Sequence, residues 1–118
     1  MQKALTLKQN TEFHRAYGRG KVKASPALVT YVVKNRGQGV RLGITAAKKL
    51  GSAVERNRCR RIIRAAFSSI YPECSGNCDI VFVARFRTKK LKSNDLEPVM
   101  RQHLTELGVV KDGAGADF

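Results

Sequence analysis

Residues 52–71 constrain the fold of this chain more than any other segment, because they predict one long helix with two unlike sides. Ser52 and Glu55 have the spacing of a capping box, and Pro72 ends the segment. At about 100° per residue, one side carries Cys59, Ile62, Ile63, Ala66, Phe67 and Ile70. The other side carries Asn57, Arg58, Arg60, Arg61, Arg64 and Ser68. Such a helix buries its apolar side against another element, and we expect its arginines to face outward.

Three segments predict strands, and a shorter edge strand is expected at residues 22–24. Residues 27–34 and 40–45 are dense in β-branched or aromatic side chains. Residues 35–39 between them contain two glycines, so we expect a hairpin that pairs these two strands antiparallel. Residues 79–85 form a nearly continuous apolar run, which indicates a strand covered on both faces at the centre of the sheet.

Two more helices are predicted, one before these strands in the sequence and one after them. The first covers residues 7–17, since Thr6 and Gln9 have capping-box spacing and a glycine follows. The last lies between a candidate N-cap, Asp95, and Gly108. Its apolar side chains recur at helical spacing: Leu96, Val99, Met100, His103, Leu104 and Leu107.

The order α-β-β-α-β-α predicts an α+β fold in which three helices pack on a small central sheet. A chain of 118 residues fits one domain of ordinary size, and we place it at residues 1–108. Residues 109–118 contain Gly and Asp without periodicity and are predicted to be a flexible C-terminal tail.

The charge of the chain points to a polyanion as partner. Lys and Arg number 23 against 9 Asp and Glu, a net charge of +14. Residues 41–64 hold eight basic residues and one acidic residue, Glu55. Like charges one helical turn apart repel unless a counter-charge is supplied, and the planar guanidinium of Arg binds two phosphate oxygens at once. We therefore favour a nucleic-acid backbone site over a merely solvated helix face.

A second candidate site combines Phe13 and Tyr17 of the first helix with Val29 and Tyr31 of the first long strand. Residues 29 and 31 point to the same side of a strand. These side chains can line an apolar groove on which unstacked bases rest. The alternative is ordinary core packing, which the residues alone favour.

Catalysis by the protein alone is not expected. A two-metal nuclease needs converging carboxylates, whereas the closest acidic residues, Asp95 and Glu97, are better explained as partners of a helix N-terminus. His14 and His103 have no partner group placed by the sequence, so a structural role is favoured for both.

Metal binding and export are not expected either. Cys59, Cys74 and Cys78 are an odd set, and the spacing of the last two is loose for zinc, so we expect free thiols. The chain has neither an apolar run long enough to span a bilayer nor a secretory signal. A cytoplasmic protein is predicted.

Residues 42–64 carry a specific pattern, Leu-Gly-Ile-Thr-Ala-Ala-Lys-Lys-Leu-Gly-Ser-Ala-Val-Glu-Arg-Asn-Arg-Cys-Arg-Arg-Ile-Ile-Arg. It joins a Lys-Lys pair, a short link with glycine, an Arg-Asn-Arg triplet, two more basic residues and a final Arg. This pattern resembles the signature of the bacterial ribonuclease P protein subunit family. The resemblance extends over most of the chain in element order, and it implies that the arginine-rich helix lies in a left-handed β-α-β crossover.

The resemblance implies a subunit of an RNA-based endoribonuclease. In that family the partner is a large catalytic RNA, which removes the 5′ leader of precursor tRNA using Mg²⁺ held mainly by the RNA, and the protein assists. It implies contact with the catalytic RNA for Lys48, Lys49, Arg56, Asn57, Arg58, Arg60, Arg61 and Arg64. It implies a leader cleft formed by Phe13, Tyr17, Val29 and Tyr31. No catalytic or metal-binding residue, no DNA and no membrane partner is expected.

Two departures and two alternatives accompany this interpretation. Arg60 stands where the family often has Lys, and the tail lacks the basic, aromatic character of some members.

One alternative is a structural ribosomal-type protein that binds RNA without a role in catalysis. A DNA-binding module is weaker, because the basic helix is flanked by strands and no helix-turn-helix pattern is present.

Overall fold

A computed structural model describes residues 5–111 and confirms the α+β fold. The strands are β1 (Leu5–Thr6), β2 (Lys21–Ala24), β3 (Leu28–Lys34), β4 (Val40–Thr45) and β5 (Cys78–Ala84). The helices are α1 (Asn10–Arg19), α2 (Ala53–Ile70) and α3 (Ser93–Glu106). Short 3-10 turns cover Lys48–Leu50, Tyr71–Glu73 and Phe86–Lys90. The expected edge strand is β2, and none of these helices is long and apolar enough to cross a membrane.

The five strands form one sheet in the order β1-β4-β5-β3-β2, with β5 at its centre as predicted. The predicted hairpin is wrong, because β5 lies between β3 and β4 and pairs antiparallel with the first and parallel with the second. A strand buried on both faces gains most from neighbours on both sides. The connecting loop passes over the start of β5, where the backbone N–H of Asn35 donates to the carbonyl of Asn77 at 3.1 Å. The connection β4-α2-β5 is a β-α-β crossover, and its hand stays a prediction.

Helix α1 covers one face of the sheet, over a small core of Leu7, Ala16, Val33 and Val81. It begins later than predicted, because Leu5–Thr6 pairs with β4 as a strand and Thr6 is therefore not the cap. The N-cap is Gln9 instead, and Glu12 at the third helical position accepts from the backbone N–H groups of Lys8 and Gln9 at 3.0 Å each.

Helices α2 and α3 cover the opposite face and enclose the larger core, in which the rings of Phe67 and Phe82 lie 5.6 Å apart. The predicted capping box of α2 is confirmed: the N–H of Glu55 donates to Ser52 Oγ at 3.2 Å and the N–H of Ser52 donates to Glu55 Oε1 at 2.9 Å. Helix α3 starts before the predicted cap. Asp95 lies within its first turn and accepts from the N–H of Lys92 at 2.9 Å.

The ordered chain continues past Gly108. Val109 and Val110 are buried, and Val110 forms a β-bridge with Cys74. The predicted start of the tail at residue 109 is therefore corrected, since apolar side chains without helical periodicity can still fill a core. Residues 112–118, the rest of the predicted tail, lie outside the described residues.

Candidate functional site

The outward side of α2 and the preceding turn form a basic surface. Its exposed members are Lys48, Lys49, Asn57, Arg61 and Arg64, and Arg56 and Arg60 are half-buried beside them. We call these seven residues the basic face. Between residues 5 and 111, no carboxylate forms an ion pair with any of them. Within the face, Arg60 Nη1 donates a hydrogen bond to Asn57 Oδ1 at 3.1 Å. The described part of the chain therefore leaves these cations available to an external anion.

Arg58 was predicted to share this surface, and the structure gives it another role. Its Nη1 and Nη2 donate to the backbone carbonyls of Lys89 and Leu91, both at 2.9 Å. These bonds fasten α2 to the segment that follows β5. Two of the five guanidinium N–H groups of Arg58 therefore serve the fold, and its contact with RNA stays a prediction.

Glu55, the one acidic residue of the basic stretch, does not neutralise the face. Its carboxylate accepts from the backbone of Ser52, and this hydrogen bond, with Lys89 as a second cause, lowers its pKa. Its ion pair is with Lys89, at 3.7 Å, rather than with a residue of the basic face. Capping of α2 thus explains why this acid is present.

The four aromatic-groove residues predicted from sequence lie on the other side of the sheet edge. Tyr17 and Tyr31 meet edge to face, with ring centroids 5.0 Å apart and planes at 72°. Tyr17 is 38% exposed, and its hydroxyl is 2.7 Å from Thr45 Oγ1. Phe13, Val29 and Tyr31 are half-buried. Phe13 and Tyr31 also pack against the small core under α1. We call Phe13, Tyr17 and Tyr31 the aromatic cleft.

The basic face and the aromatic cleft meet at Arg60. A cavity of about 340 Å³ is lined by Phe13, Tyr17 and Arg60, together with Asn10, His14, Ile44, Thr45 and Ala46. A smaller one of about 180 Å³ has Phe13, Arg60 and Arg64 in its wall. Val29 lines neither cavity. It lies further along β3, where it pairs with Val83 of β5. One continuous surface therefore offers guanidinium groups beside aromatic rings.

Sequence reasoning missed three polar residues of this surface, Asn10, His14 and Thr45. Asn10 and His14 have the helical spacing i, i+3, i+4 and i+7 with Phe13 and Tyr17, a signal that places all four on one side of α1. Thr45 carried no signal, because only the fold brings the end of β4 to the hydroxyl of Tyr17.

The cysteines and other acids offer no separate chemistry. The three cysteines are free, and burial raises the pKa of Cys74 to about 12 and that of Cys78 to about 11, so both remain thiols. Among residues 5–111, no group of three or more His, Cys, Asp or Glu side chains is arranged to hold a metal ion.

Comparison with known proteins agrees with this geometry. A family model described as Ribonuclease P matches residues 1–108. The chain belongs to the ribonuclease P protein family. Among its curated relatives, the ribonuclease P protein component of Clostridioides difficile is 38% identical over 92 residues, which cover 77% of this chain and 81% of the relative. That of Staphylococcus haemolyticus is 36% identical over 110 residues, 93% of this chain and 95% of the relative.

Solved structures of this family share the fold. The RNase P protein of Staphylococcus aureus matches with a TM-score of 0.80 at 32% identity, covering 92% of this chain and 100% of that chain. The RNase P protein of Thermotoga maritima matches with a TM-score of 0.73 at 23% identity, over 82% of this chain and 92% of that one, which is a likeness of fold alone.

Proposed function

We propose that this protein is the RNA-binding subunit of a ribonuclease P ribonucleoprotein, which removes the 5′ leader of precursor tRNA. The observation that carries the proposal is the meeting of the basic face and the aromatic cleft at Arg60. Guanidinium groups bind phosphates, and aromatic rings stack on unpaired bases. A surface that joins the two suits a site where structured RNA passes into a single strand.

The two parts of this surface have separate tasks. The basic face contacts the phosphates of the catalytic RNA, which supply the counter-charge for its unpaired cations. The aromatic cleft takes the single-stranded leader, whose bases can rest on Tyr17, the most exposed of its rings. Both RNAs are the partners that we propose, and the cytoplasm is the compartment in which we place the complex.

The protein alone is inactive in this proposal, and Mg²⁺ is bound mainly by the RNA. All seven carboxylates of residues 5–111 have partners within the chain. Six of them pair with Lys or Arg side chains, and Asp95 accepts from the backbone of Lys92. Two-metal hydrolysis needs carboxylates free to converge on the ions. The protein instead contributes binding and positioning.

Reconstitution with a bacterial ribonuclease P RNA tests this proposal. The wild-type protein should stimulate cleavage of precursor tRNA at low Mg²⁺, while the protein without RNA should cleave nothing. Binding without stimulation would favour the structural ribosomal-type alternative. Site-specific cleavage by the RNA-free protein would contradict the proposed division of labour.

A pair of matched variants assigns the effect to the basic face. Arg60→Gln with Arg64→Gln should weaken binding to the RNA and reduce the slope of log affinity against log salt by roughly 0.7 to 0.9 for each phosphate that is no longer neutralised. Lys8→Gln with Arg36→Gln removes the same charge from exposed positions outside the site. Equal losses of affinity in the two double variants would mean that only net charge matters.

A further inference from the structure

A second basic cavity lies on the far flank of α1. It has a volume of about 380 Å³, and four cations contribute to its wall: Arg15, Arg19, Lys21 and Lys34. They come from three elements, namely α1, β2 and β3. No carboxylate lines the cavity, and none of the four cations forms an ion pair in the part of the chain from residue 5 to residue 111. We call it the far cavity.

One of the four cations of the far cavity, Arg15, is held in place by the fold, and the other three are exposed around it. Arg15 is half-buried, and its Nη2 donates to the backbone carbonyl of Lys34, which holds the guanidinium against the wall. Val32 and Leu107 supply an apolar floor. The neighbouring acid, Glu106, is occupied by Lys23 at 3.4 Å and by Gln102 at 3.1 Å. The cavity thus combines unneutralised positive charge with apolar walls.

The far cavity cannot serve the same stretch of ligand as the aromatic cleft. At about 100° per residue, Arg15 and Arg19 project from the flank of α1 opposite to Phe13 and Tyr17. The cavity also lies at the β3-β2 end of the sheet, whereas Arg60 and Arg64 lie over β4. A ligand of the far cavity is therefore a separate segment.

We propose that the far cavity binds the phosphodiester backbone of a second RNA segment, so that the protein bridges two parts of its RNA partner. A nucleic-acid strand carries one negative charge per nucleotide, which matches four clustered cations better than the sparser carboxylates of a peptide. Guanidinium groups suit phosphate oxygens, and the apolar floor suits the sugar. The inference rests on the proposed function in one respect, that the partner is RNA.

The first test measures affinity for a bacterial ribonuclease P RNA as a function of salt, with the full chain. Arg19→Gln with Lys21→Gln should flatten the salt dependence by roughly 0.7 to 0.9 for each phosphate that is no longer neutralised, beyond the change in the matched control Lys8→Gln with Arg36→Gln. Both replaced residues are exposed, so the fold should persist, and the single variant Arg19→Gln repeats the test with a smaller change. A salt slope equal to that of the control would overturn the inference, and it is the result expected if the occupant were an acidic protein segment.

The second test locates the bound segment. Arg19→Cys and Arg64→Cys, each labelled with an iron chelate that generates hydroxyl radicals, should cut two non-overlapping sets of nucleotides. Labelling should favour the introduced cysteines, since Cys59 and Cys78 are buried and burial raises the pKa of Cys74. Absence of cuts from position 19, or cuts that coincide with those from position 64, would overturn the second segment. If Arg60→Gln with Arg64→Gln also has no effect on binding, the proposed function fails; if only the far-cavity variant has none, this inference alone fails.

Discussion

His103 is a buried titratable residue that couples the core to pH. It is 6% exposed, and its Nδ1 lies 2.8 Å from Thr30 Oγ1 on β3. Burial lowers its pKa below the ordinary value of 6.5; Glu106 opposes this shift and Lys23 adds to it. The sequence placed His103 on the apolar side of the last helix, and the structure adds the hydroxyl that orients it.

Stability should therefore depend on pH through His103. Because the pKa of His103 is lower in the folded protein than in the unfolded chain, the unfolded chain takes up a proton first as the pH falls through about 6.5. The stability that His103 contributes to the fold is therefore fully present above about pH 6.5 and is lost as the pH falls below that value. The urea midpoint of the wild type should fall between pH 7.5 and 5.0 by more than that of His103→Gln. An identical pH dependence of the urea midpoint in the wild type and in His103→Gln would refute this coupling.

Gly43 sets how closely α1 approaches the sheet. A Cβ atom at this position would lie 2.7 Å from Cε1 and 2.8 Å from Cζ of Phe13. Gly43→Ala should therefore displace the Phe13 ring and destabilise the protein by about 1 to 3 kcal/mol, the usual cost of overpacking. The matched change Gly18→Ala lies within α1 in open space and should stabilise by roughly 0.5 to 1 kcal/mol. Thermal or urea denaturation decides; equal effects at the two glycines would contradict the close contact.

At the scale of elements, one ion-pair network joins α1 to the centre of the sheet. Arg41 on β4 donates to Asp79 on β5 through Nε at 2.8 Å and Nη2 at 2.9 Å. Its Nη1 reaches Glu12 of α1 at 2.9 Å, and Asn35 also donates to Asp79 at 2.9 Å. The Asp79 side chain is completely buried. The Asp79 carboxylate therefore links β5 to β4, to the loop before β4 and, through Arg41, to α1.

Removal of that charge should be costly. Asp79→Asn leaves Arg41 half-buried without its main partner, and breaking a buried pair on one side costs about 3 to 5 kcal/mol. Glu12→Gln should cost less, because its carboxylate is 21% exposed and water can replace it. The comparison is made by urea denaturation near pH 7. A smaller loss of stability for Asp79→Asn than for Glu12→Gln would show that the buried carboxylate is not the main anchor of the network.

Local signals predicted which segments form elements better than they predicted how the elements pair. Periodicity and capping placed α2 within a residue at each end, since Ser52 and Glu55 are sufficient to start it. The hairpin failed because turn residues such as Gly37 and Gly39 show that a chain turns, not which strand becomes its neighbour. The position of β5 between β3 and β4 is decided by burial on both faces, a property of the whole sheet.

At the scale of the whole molecule, the candidate site was predictable in content but not in arrangement. The excess of arginine over acid indicated the basic face. That Arg58 turns inward to the carbonyls of Lys89 and Leu91 depends on a segment about 30 residues away in sequence. That Arg60 lines the same cavity as Phe13 and Tyr17 likewise depends on where the fold places α1 and α2. No local pattern carries that information.

The central claim is that the aromatic cleft receives the leader of precursor tRNA, and Tyr17 tests it most directly. In the reconstituted complex, Tyr17→Ala should weaken the affinity for precursor tRNA by roughly 5- to 150-fold, the equivalent of one base stack of about 1 to 3 kcal/mol. Affinity for mature tRNA, which has no leader, should hardly change. Tyr17→Phe keeps the ring, removes only the hydrogen bond to Thr45, and should bind nearly as the wild type does.

The decisive quantity is the ratio of the two affinities, measured beside the melting temperature of each variant. Because Tyr17 is 38% exposed, its truncation should lower the melting temperature less than truncation of the buried Phe67 would. We expect the affinity for precursor tRNA relative to that for mature tRNA to fall for Tyr17→Ala and to stay unchanged for Tyr17→Phe. Equal losses of affinity for precursor and mature tRNA would contradict the account and return the aromatic residues to a structural role.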